Sequence, residues 1–288
     1  MTRRAFSQSA LAASASAAAP NPPAGITASV MLWTLRGAFE GKLEIAAKAG
    51  CQSVELVGEH LTWSPSEMDR MVKLAESMKL SMDTISAMPN WGRESVSMVD
   101  PAQRESMLKE VARNIEFAKR LNIPQLLLMS GNALPGKTFD EQYASMLEGC
   151  KRAGDLAAKA GVTMIIEPLN NKVDHKGFFM SSCVDGLRMV QETGNPHVKL
   201  LFDIYHEQVQ LGNVTRTILT ALSHTTVFHI ADNPGRHEPG TGELDYTNIY
   251  KAIKKANFSG YLTMEFLPAA DQAVALEKAV REMRAAIA

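Results

Sequence analysis

The sequence predicts an α/β protein folded as a single (β/α)8 barrel, and three observations carry that expectation. Short, apolar, β-rich runs alternate with amphipathic helical stretches from Ile26 onward. There are eight such runs, each followed by a helix or by a loop leading to one, and residues 26–288 suit the roughly 250 residues typical of eight βα units. A doubly wound sheet would usually carry a Gly-rich phosphate loop after an early strand, and none follows Thr34 or Val57. No linker or break in composition interrupts 26–288, so one domain is expected.

The expected strands are Thr27–Thr34, Ser53–Val57, Ser81–Ser86, Gln125–Ser130, Thr163–Leu169, Val198–Tyr205, Thr226–Ala231 and Tyr261–Phe266. Between the first two lies a helical stretch through Glu44–Ala49, with Gly50 as its stop. Ser64-Pro65-Ser66-Glu67 opens the next helix, with Ser64 as N-cap and Pro65 at the first helical position. Met107, Val111, Ile115 and Ala118 line one face of a third. Tyr143, Met146, Leu147, Cys150 and Leu156 line a fourth, which stops at Gly161. Leu276, Val280, Met283 and Ile287 stripe the last helix.

Composition narrows the function classes. The 288 residues carry 30 Lys+Arg against 31 Asp+Glu, a net charge of -1. A nucleic-acid partner would normally show as a basic surplus, so none is expected. Cys51, Cys150 and Cys183 are odd in number and fit neither a disulfide framework nor a zinc-knuckle spacing. No run of eighteen apolar residues is present, so no membrane span is expected. Residues 1–25 read as a leader: a charged start, a small-residue run from Ser9 to Ala19, then Pro20-Asn21-Pro22-Pro23. Thr2-Arg3-Arg4-Ala5-Phe6 resembles a twin-arginine export signal, with Ser7 and Gln8 where Leu and Lys are usual. A cut after Ala17 is the expected processing point and the periplasm the expected destination; a disordered tail on a cytoplasmic protein is the alternative.

Chemistry in such barrels sits at the C-terminal ends of the strands. Strand five runs into Glu167, strand six into Asp203, strand seven into His229 and strand eight into Glu265, at spacings of 36, 26 and 36 residues. A single such residue would more often be a helix cap, a surface group or a hydrogen-bonded core histidine. Four in register on successive strands face one point, and burying three carboxylates is costly unless they are paired or hold a metal. Three carboxylates and one imidazole suit one divalent metal ion, Mn²⁺ or Mg²⁺ first and Co²⁺ next, with no organic cofactor.

Glu167-Pro168-Leu169-Asn170, Asp203-Ile204-Tyr205-His206 and above all His229-Ile230-Ala231-Asp232 with Asn233-Pro234-Gly235-Arg236-His237-Glu238-Pro239-Gly240-Thr241-Gly242-Glu243 resemble the hydroxypyruvate isomerase family. That family belongs to the xylose-isomerase-like TIM barrels, beside the ketose 3-epimerases, and the likeness covers essentially all of 26–288. It implies one divalent metal held by Glu167, Asp203, His229 and Glu265, with Glu167 and Glu265 as the acid/base pair. It also implies a substrate contact for His206, placed in the loop above strand six. The best-known hydroxypyruvate isomerases carry Gln at the third ligand position, whereas the epimerases carry His, as here. The implied reaction interconverts hydroxypyruvate and 2-hydroxy-3-oxopropanoate (tartronate semialdehyde) through an enediolate. The alternative is a ketose 3-epimerase or related sugar isomerase.

Such chemistry removes a proton beside a carbonyl and returns one to a neighbouring carbon, and carboxylates on opposite sides of the substrate suit it. Arg236 is the leading candidate for a substrate carboxylate or a sugar hydroxyl. Glu55 reads as a buried structural carboxylate, Trp91 as a roof or plain packing, and His175 and His237 as loop residues without assigned roles. Glu243 and Asp245 read equally as caps of the next helix or as ligand contacts. The partner is a small hydroxy-carbonyl compound or sugar, and a homo-oligomer is compatible with the sequence. A repair enzyme of the endonuclease IV type would need further His ligands and a basic face, and a silent sugar-binding module would not need four intact ligands.

Overall fold

Each expected strand forms, and the strands close on themselves. A computed structural model describes residues 23–88 and 97–288. It places β1 (Ile26–Met31), β2 (Ser53–Leu56), β3 (Ser81–Ser86), β4 (Gln125–Met129), β5 (Thr163–Glu167), β6 (Val198–Asp203), β7 (Thr225–Ile230) and β8 (Gly260–Met264) in one closed parallel barrel in sequence order. β1 meets β8 along Ile26↔Gly260 to Val30↔Met264, which removes both sheet edges. Outside them lie α1 (Phe39–Lys48), α2 (Pro65–Ser77), α3 (Arg104–Arg120), α4 (Phe139–Ala160), α5 (Cys183–Thr193), α6 (Ile204–Gln210), α7 (Val214–Ala221), α8 (Tyr246–Lys255) and α9 (Gln272–Ile287). Among the described residues no helix is long and apolar enough to cross a membrane. The leader reading falls on residues of which 1–22 lie outside the described set, as does Trp91.

Local chemistry accounts for the boundaries. Ser64 and Glu67 form a reciprocal capping box at the start of α2, with Pro65 at its first position. Thr138 and Glu141 do the same for α4, which ends where Gly161 takes the left-handed conformation (φ 70°). Gly50, at φ 86°, follows α1 in the same way. Several strands stop short of the apolar runs, β1, β5 and β6 among them. β1 gives way at Leu32–Thr34 to a 3-10 turn, and the Thr34 hydroxyl donates to Met31 O. β6 stops at Asp203 because that side chain caps a helix: Oδ1 accepts from His206 N at 2.8 Å, starting α6 at Ile204. β5 ends where Pro168 supplies no N–H.

The main core lies between barrel and helices, where Met107, Val111, Ile115 and Ala118 of α3 are all buried, as are Leu276, Val280 and Met283 of α9. A second, smaller cluster plugs the barrel itself: Met31, Leu127, Ile165, Leu201 and Val227. Side chains two residues apart on a strand share a face. Glu167, Asp203 and His229 therefore stand one layer above Ile165, Leu201 and Val227, on a dry apolar floor at the C-terminal mouth. The pairing Asp203↔His229 and His229↔Thr263 sets this layer across three strands, and Glu265 follows two residues beyond Thr263.

Candidate metal centre and substrate cavity

One ring nitrogen is the focus of the site. His229 Nδ1 lies 2.9 Å from Glu265 Oε2, 3.1 Å from Glu167 Oε1 and 3.9 Å from Asp203 Oδ2. All four residues are buried, and one ligand atom from each lies within 4.8 Å of the others, a span suited to one coordination sphere with metal–oxygen distances of roughly 2.0–2.6 Å. Asp203 divides its work: Oδ1 caps α6 while Oδ2 turns to the cluster. It is helix cap and candidate ligand at once.

The opposite ring nitrogen is equally specified. His229 Nε2 lies 3.0 Å from Glu55 Oε2, across the barrel on β2, and both side chains are fully buried. A carboxylate there accepts Nε2–H and leaves Nδ1 as the ring atom able to ligate, the arrangement in which an outer carboxylate fixes a metal-binding histidine. Glu55 thus does more than fill the interior, and its other oxygen has no hydrogen-bond partner. Sequence reading missed this role because it depends on β2 facing β7 across the barrel. A glutamate in the middle of an apolar strand was the available signal.

The charges show what the centre demands. Burial pushes the carboxyls of Glu167 and Asp203 upward, and Glu265 adds to the rise. His229 goes well above its usual range despite burial, under the pull of Glu55, Glu265 and Glu167. Three inward carboxylates draw strongly on positive charge, a demand that a divalent cation would meet with a neutral His229 as fourth ligand. The donor set of hard oxygens and one imidazole fits such an ion. Glu265 is an exception among the acids. Burial opposes its ionisation, yet Arg236 and His229 hold it well below the usual carboxylate range.

Beside the cluster opens a cavity of about 310 Å³, lined by the apolar side chains of Met31, Val57, Leu127, Met129 and Leu169 and by Trp33, Ser86, His175, His206, Arg236, Glu167 and Glu265. Arg236 Nη2 pairs with Glu265 Oε2 at 2.8 Å and lies 3.9 Å from Asp203 Oδ2. The indole N–H of Trp33 donates to Glu265 Oε1 at 2.9 Å, and the Arg236 guanidinium sits 5.4 Å from the centre of the same ring. Glu265 is therefore clamped through both oxygens. Trp33 was not singled out in the sequence, where a lone aromatic just past a strand carries no distinguishing pattern.

The segment Asn233–Glu243 is the loop that delivers Arg236. Asp232, fully buried, gathers four backbone N–H groups: Asn233 and Leu244 on Oδ1, Gly240 and Gly242 on Oδ2. Gly242 is required by space, since a Cβ there would come within 2.3 Å of Asn233 O. The loop is tied to the next one, where Leu267 N donates to Arg236 O (2.7 Å) and His237 Nδ1 to Leu267 O (2.7 Å). His237 is thus a structural tie, Asp245 caps α8, and Glu243 binds Asn233 and Gln208. His206 is placed by α6 and not by a loop; the residue lines the cavity, and its buried Nε2 lies 3.7 Å from Asp203 Oδ2. Burial, with Arg236 adding to it, holds this ring well below the usual imidazole range. His175, from the β5–α5 connection, lines the cavity beside it, the ring centres 5.2 Å apart. The six expected site residues, Glu167, Asp203, His206, His229, Arg236 and Glu265, meet at one end of the barrel.

Comparison with known proteins places this geometry among relatives. The family model described as xylose isomerase-like TIM barrel matches residues 43–286. Hydroxypyruvate isomerase of Escherichia coli (strain K12) is 27% identical over 234 residues, covering 80% of this chain and 88% of its own. The 2-oxo-tetronate isomerase of Pectobacterium atrosepticum is 28% identical over 232 residues, covering 80% and 87%. Among solved structures, an AP endonuclease of family 2 from Brucella melitensis superposes with a TM-score of 0.77 at 24% identity, covering 89% of this chain and 97% of its own. A D-allulose 3-epimerase from Methylomonas sp. in complex with D-allulose gives 0.74 at 18%, covering 93% and 99%. The IolI protein with a bound zinc atom gives 0.71 at 15%, covering 90% and 96%. At these identities the structural likenesses speak for the fold.

Proposed function

The chain belongs to the xylose isomerase-like TIM barrel family, and on that footing we propose that it is a divalent-metal-dependent isomerase interconverting hydroxypyruvate and 2-hydroxy-3-oxopropanoate through an enediolate. One observation carries the reading. Three carboxylates and a histidine whose tautomer Glu55 sets converge on one point beside a small cavity, and that cavity also presents Arg236 and His206. The isomerases of Escherichia coli and Pectobacterium atrosepticum support the substrate class.

A divalent ion bound by Glu167, Asp203, His229 Nδ1 and Glu265 would supply Lewis-acid stabilisation of the negative charge that grows on the substrate oxygens. The protein supplies the rest. Glu167 on β5 and Glu265 after β8 reach the cavity from separate arcs of the barrel. One takes the proton from the carbon beside the carbonyl and the other returns a proton to the neighbouring carbon, a service worth about 10²–10⁴-fold. Trp33 and Arg236 hold Glu265 in place. Arg236 also offers guanidinium donors to the substrate carboxylate. Among the described residues, Met31, Val57, Leu127, Met129 and Leu169 make much of the cavity lining apolar, which favours a short substrate over one with a long row of hydroxyls.

A ketose 3-epimerase is the second reading, and His229 as third ligand favours it. The discriminating experiment incubates purified protein with Mn²⁺, Mg²⁺ or Co²⁺ and either hydroxypyruvate or free ketoses such as fructose and tagatose. Turnover of hydroxypyruvate is expected; turnover of ketoses alone would replace the first reading by the second. The leader is proposed to direct export to the periplasm, which cell fractionation and sequencing of the mature amino terminus would decide.

A further inference from the structure

Asn170 belongs to a sequence motif, Glu167-Pro168-Leu169-Asn170, of which the catalytic account uses only the glutamate. The asparagine is fully buried, and all its hydrogen-bonding capacity is committed. Its Oδ1 accepts two backbone donors, Val173 N at 3.0 Å and Asp174 N at 3.1 Å. Since those partners can only donate, the oxygen of the amide must be the atom that faces them, and Nδ2 must face the other way. There Nδ2 meets Asp174 Oδ2 at 2.7 Å and His206 Nδ1 at 2.6 Å. The carboxylate can only accept, and Tyr205 OH donates to the same oxygen at 2.9 Å. The second amide hydrogen therefore points at His206 Nδ1, and the backbone N–H of Asn170 approaches that same nitrogen at 3.4 Å.

A ring nitrogen that receives two N–H donors has no room for a proton of its own. We propose that Asn170 is a positioning residue that locks His206 in the neutral Nε2–H tautomer, making it an obligatory hydrogen-bond donor to a substrate oxygen in the cavity. The geometry at Nε2 agrees: this atom is buried, has no hydrogen-bond partner in the protein, and belongs to a side chain lining the cavity. An uncharged donor suits the chemistry, because it strengthens its bond as negative charge develops on the substrate oxygen without surrendering a proton to it. The lock is built from α6 and the β5–α5 connection together, so it also ties the donor's orientation to the strand carrying Glu167. The catalytic consequence rests on the isomerase reading; the tautomer itself does not.

The test separates the two. Protein carrying ¹⁵N-labelled histidine, loaded with Mg²⁺ and free of substrate, is read by NMR, with the His206 signals assigned by their loss in His206→Gln. The expected spectrum has the proton on Nε2 and a bare Nδ1. In Asn170→Asp the amide donor becomes an acceptor of nearly the same shape, so the proton is expected to move to Nδ1. In the same variant kcat for hydroxypyruvate should fall by roughly 10–100-fold, by analogy with the loss of an outer partner of a metal-ligating histidine, while KM changes less than tenfold. A wild-type His206 protonated on Nδ1, or an Asn170→Asp protein that retains the Nε2–H form, would overturn the lock. Asn170→Ala serves if the aspartate variant does not fold: a mixture of tautomers is expected, and an unchanged single tautomer with only a lowered melting temperature would reduce Asn170 to a structural role. Wild-type protein inert toward hydroxypyruvate would sink the isomerase reading and leave the tautomer result standing.

Discussion

Glu55→Gln isolates what the barrel interior contributes to metal binding, because Glu55 supports the candidate ligand His229 without belonging to the ligand cluster itself. In the wild type, Glu55 Oε2 stands 3.0 Å from His229 Nε2 and both side chains are fully buried. A hydrogen bond with one charged partner is worth about 1.5–3 kcal/mol net. The glutamine oxygen can still accept from Nε2–H, but without the charge, and its amide can also turn to present a donor. That second rotamer would force the ring proton onto Nδ1 and remove the ligand lone pair. Both effects weaken the metal, and losing an outer partner of this kind typically costs about 10–100-fold in affinity, or about 1.4–2.8 kcal/mol. Titration of Mn²⁺ into metal-free protein by calorimetry, or competition against a fluorescent chelator, reads this directly. Turnover at saturating Mn²⁺ should recover most of the loss. A Glu55→Gln protein that binds Mn²⁺ within threefold of wild type, with an unchanged melting curve, would refute the idea that Glu55 sets the ligating nitrogen.

Three further predictions concern other parts of the site. Glu265→Gln should lower kcat by about 10²–10⁴-fold, measured with hydroxypyruvate at saturating metal; unchanged turnover would end the two-carboxylate mechanism. Arg236→Lys keeps a charge near Glu265 but loses the planar fork, so kcat/KM for a carboxylate substrate should drop by roughly 10–100-fold, at the scale of one charge-assisted hydrogen bond. Glu207 lies buried beneath α5, accepts from Cys183 N at 2.8 Å and has its pKa pushed by burial from 4.5 to about 7. A carboxyl whose pKa is raised on folding contributes fully below its unfolded value and loses that contribution as pH rises through the folded value. Stability should therefore decline between pH 4.5 and about 7, by an amount on the order of 2–3 kcal/mol. Glu207→Gln, which can still accept from Cys183 N, should flatten the decline in denaturant titrations at a series of pH values, and a parallel decline in the variant would exclude Glu207 as its source.

The barrel was legible because its signals are local. Apolar runs that alternate with 3.6-residue periodicity report strand and helix directly, and caps such as Ser64 with Pro65 or the stop at Gly161 act within one turn. Four acidic or imidazole residues at successive strand ends were legible for a related reason: parallel strands in sequence order bring every C-terminal end to one mouth. Asp203 marks the edge of that reasoning, since a strand-end aspartate reads as cap or as candidate ligand, and here Oδ1 caps α6 while Oδ2 faces the cluster.

What the sequence by itself determined is the fold class, the strand boundaries to within about three residues and the acids Glu167, Asp203 and Glu265 at the strand ends, all set by periodicity and position along single strands. Only the tertiary structure decided which partners the ring nitrogens of His229 and His206 meet, because those partners lie far apart in the chain. Glu55 is 174 residues from His229, Asn170 is 36 from His206, and Trp33 is 232 from Glu265. A carboxylate, an amide and an indole carry no mark in the chain of what they will face. Closing the barrel places each within hydrogen-bond reach of its partner, and in a dry interior an unmatched donor or acceptor costs too much to leave the match to chance.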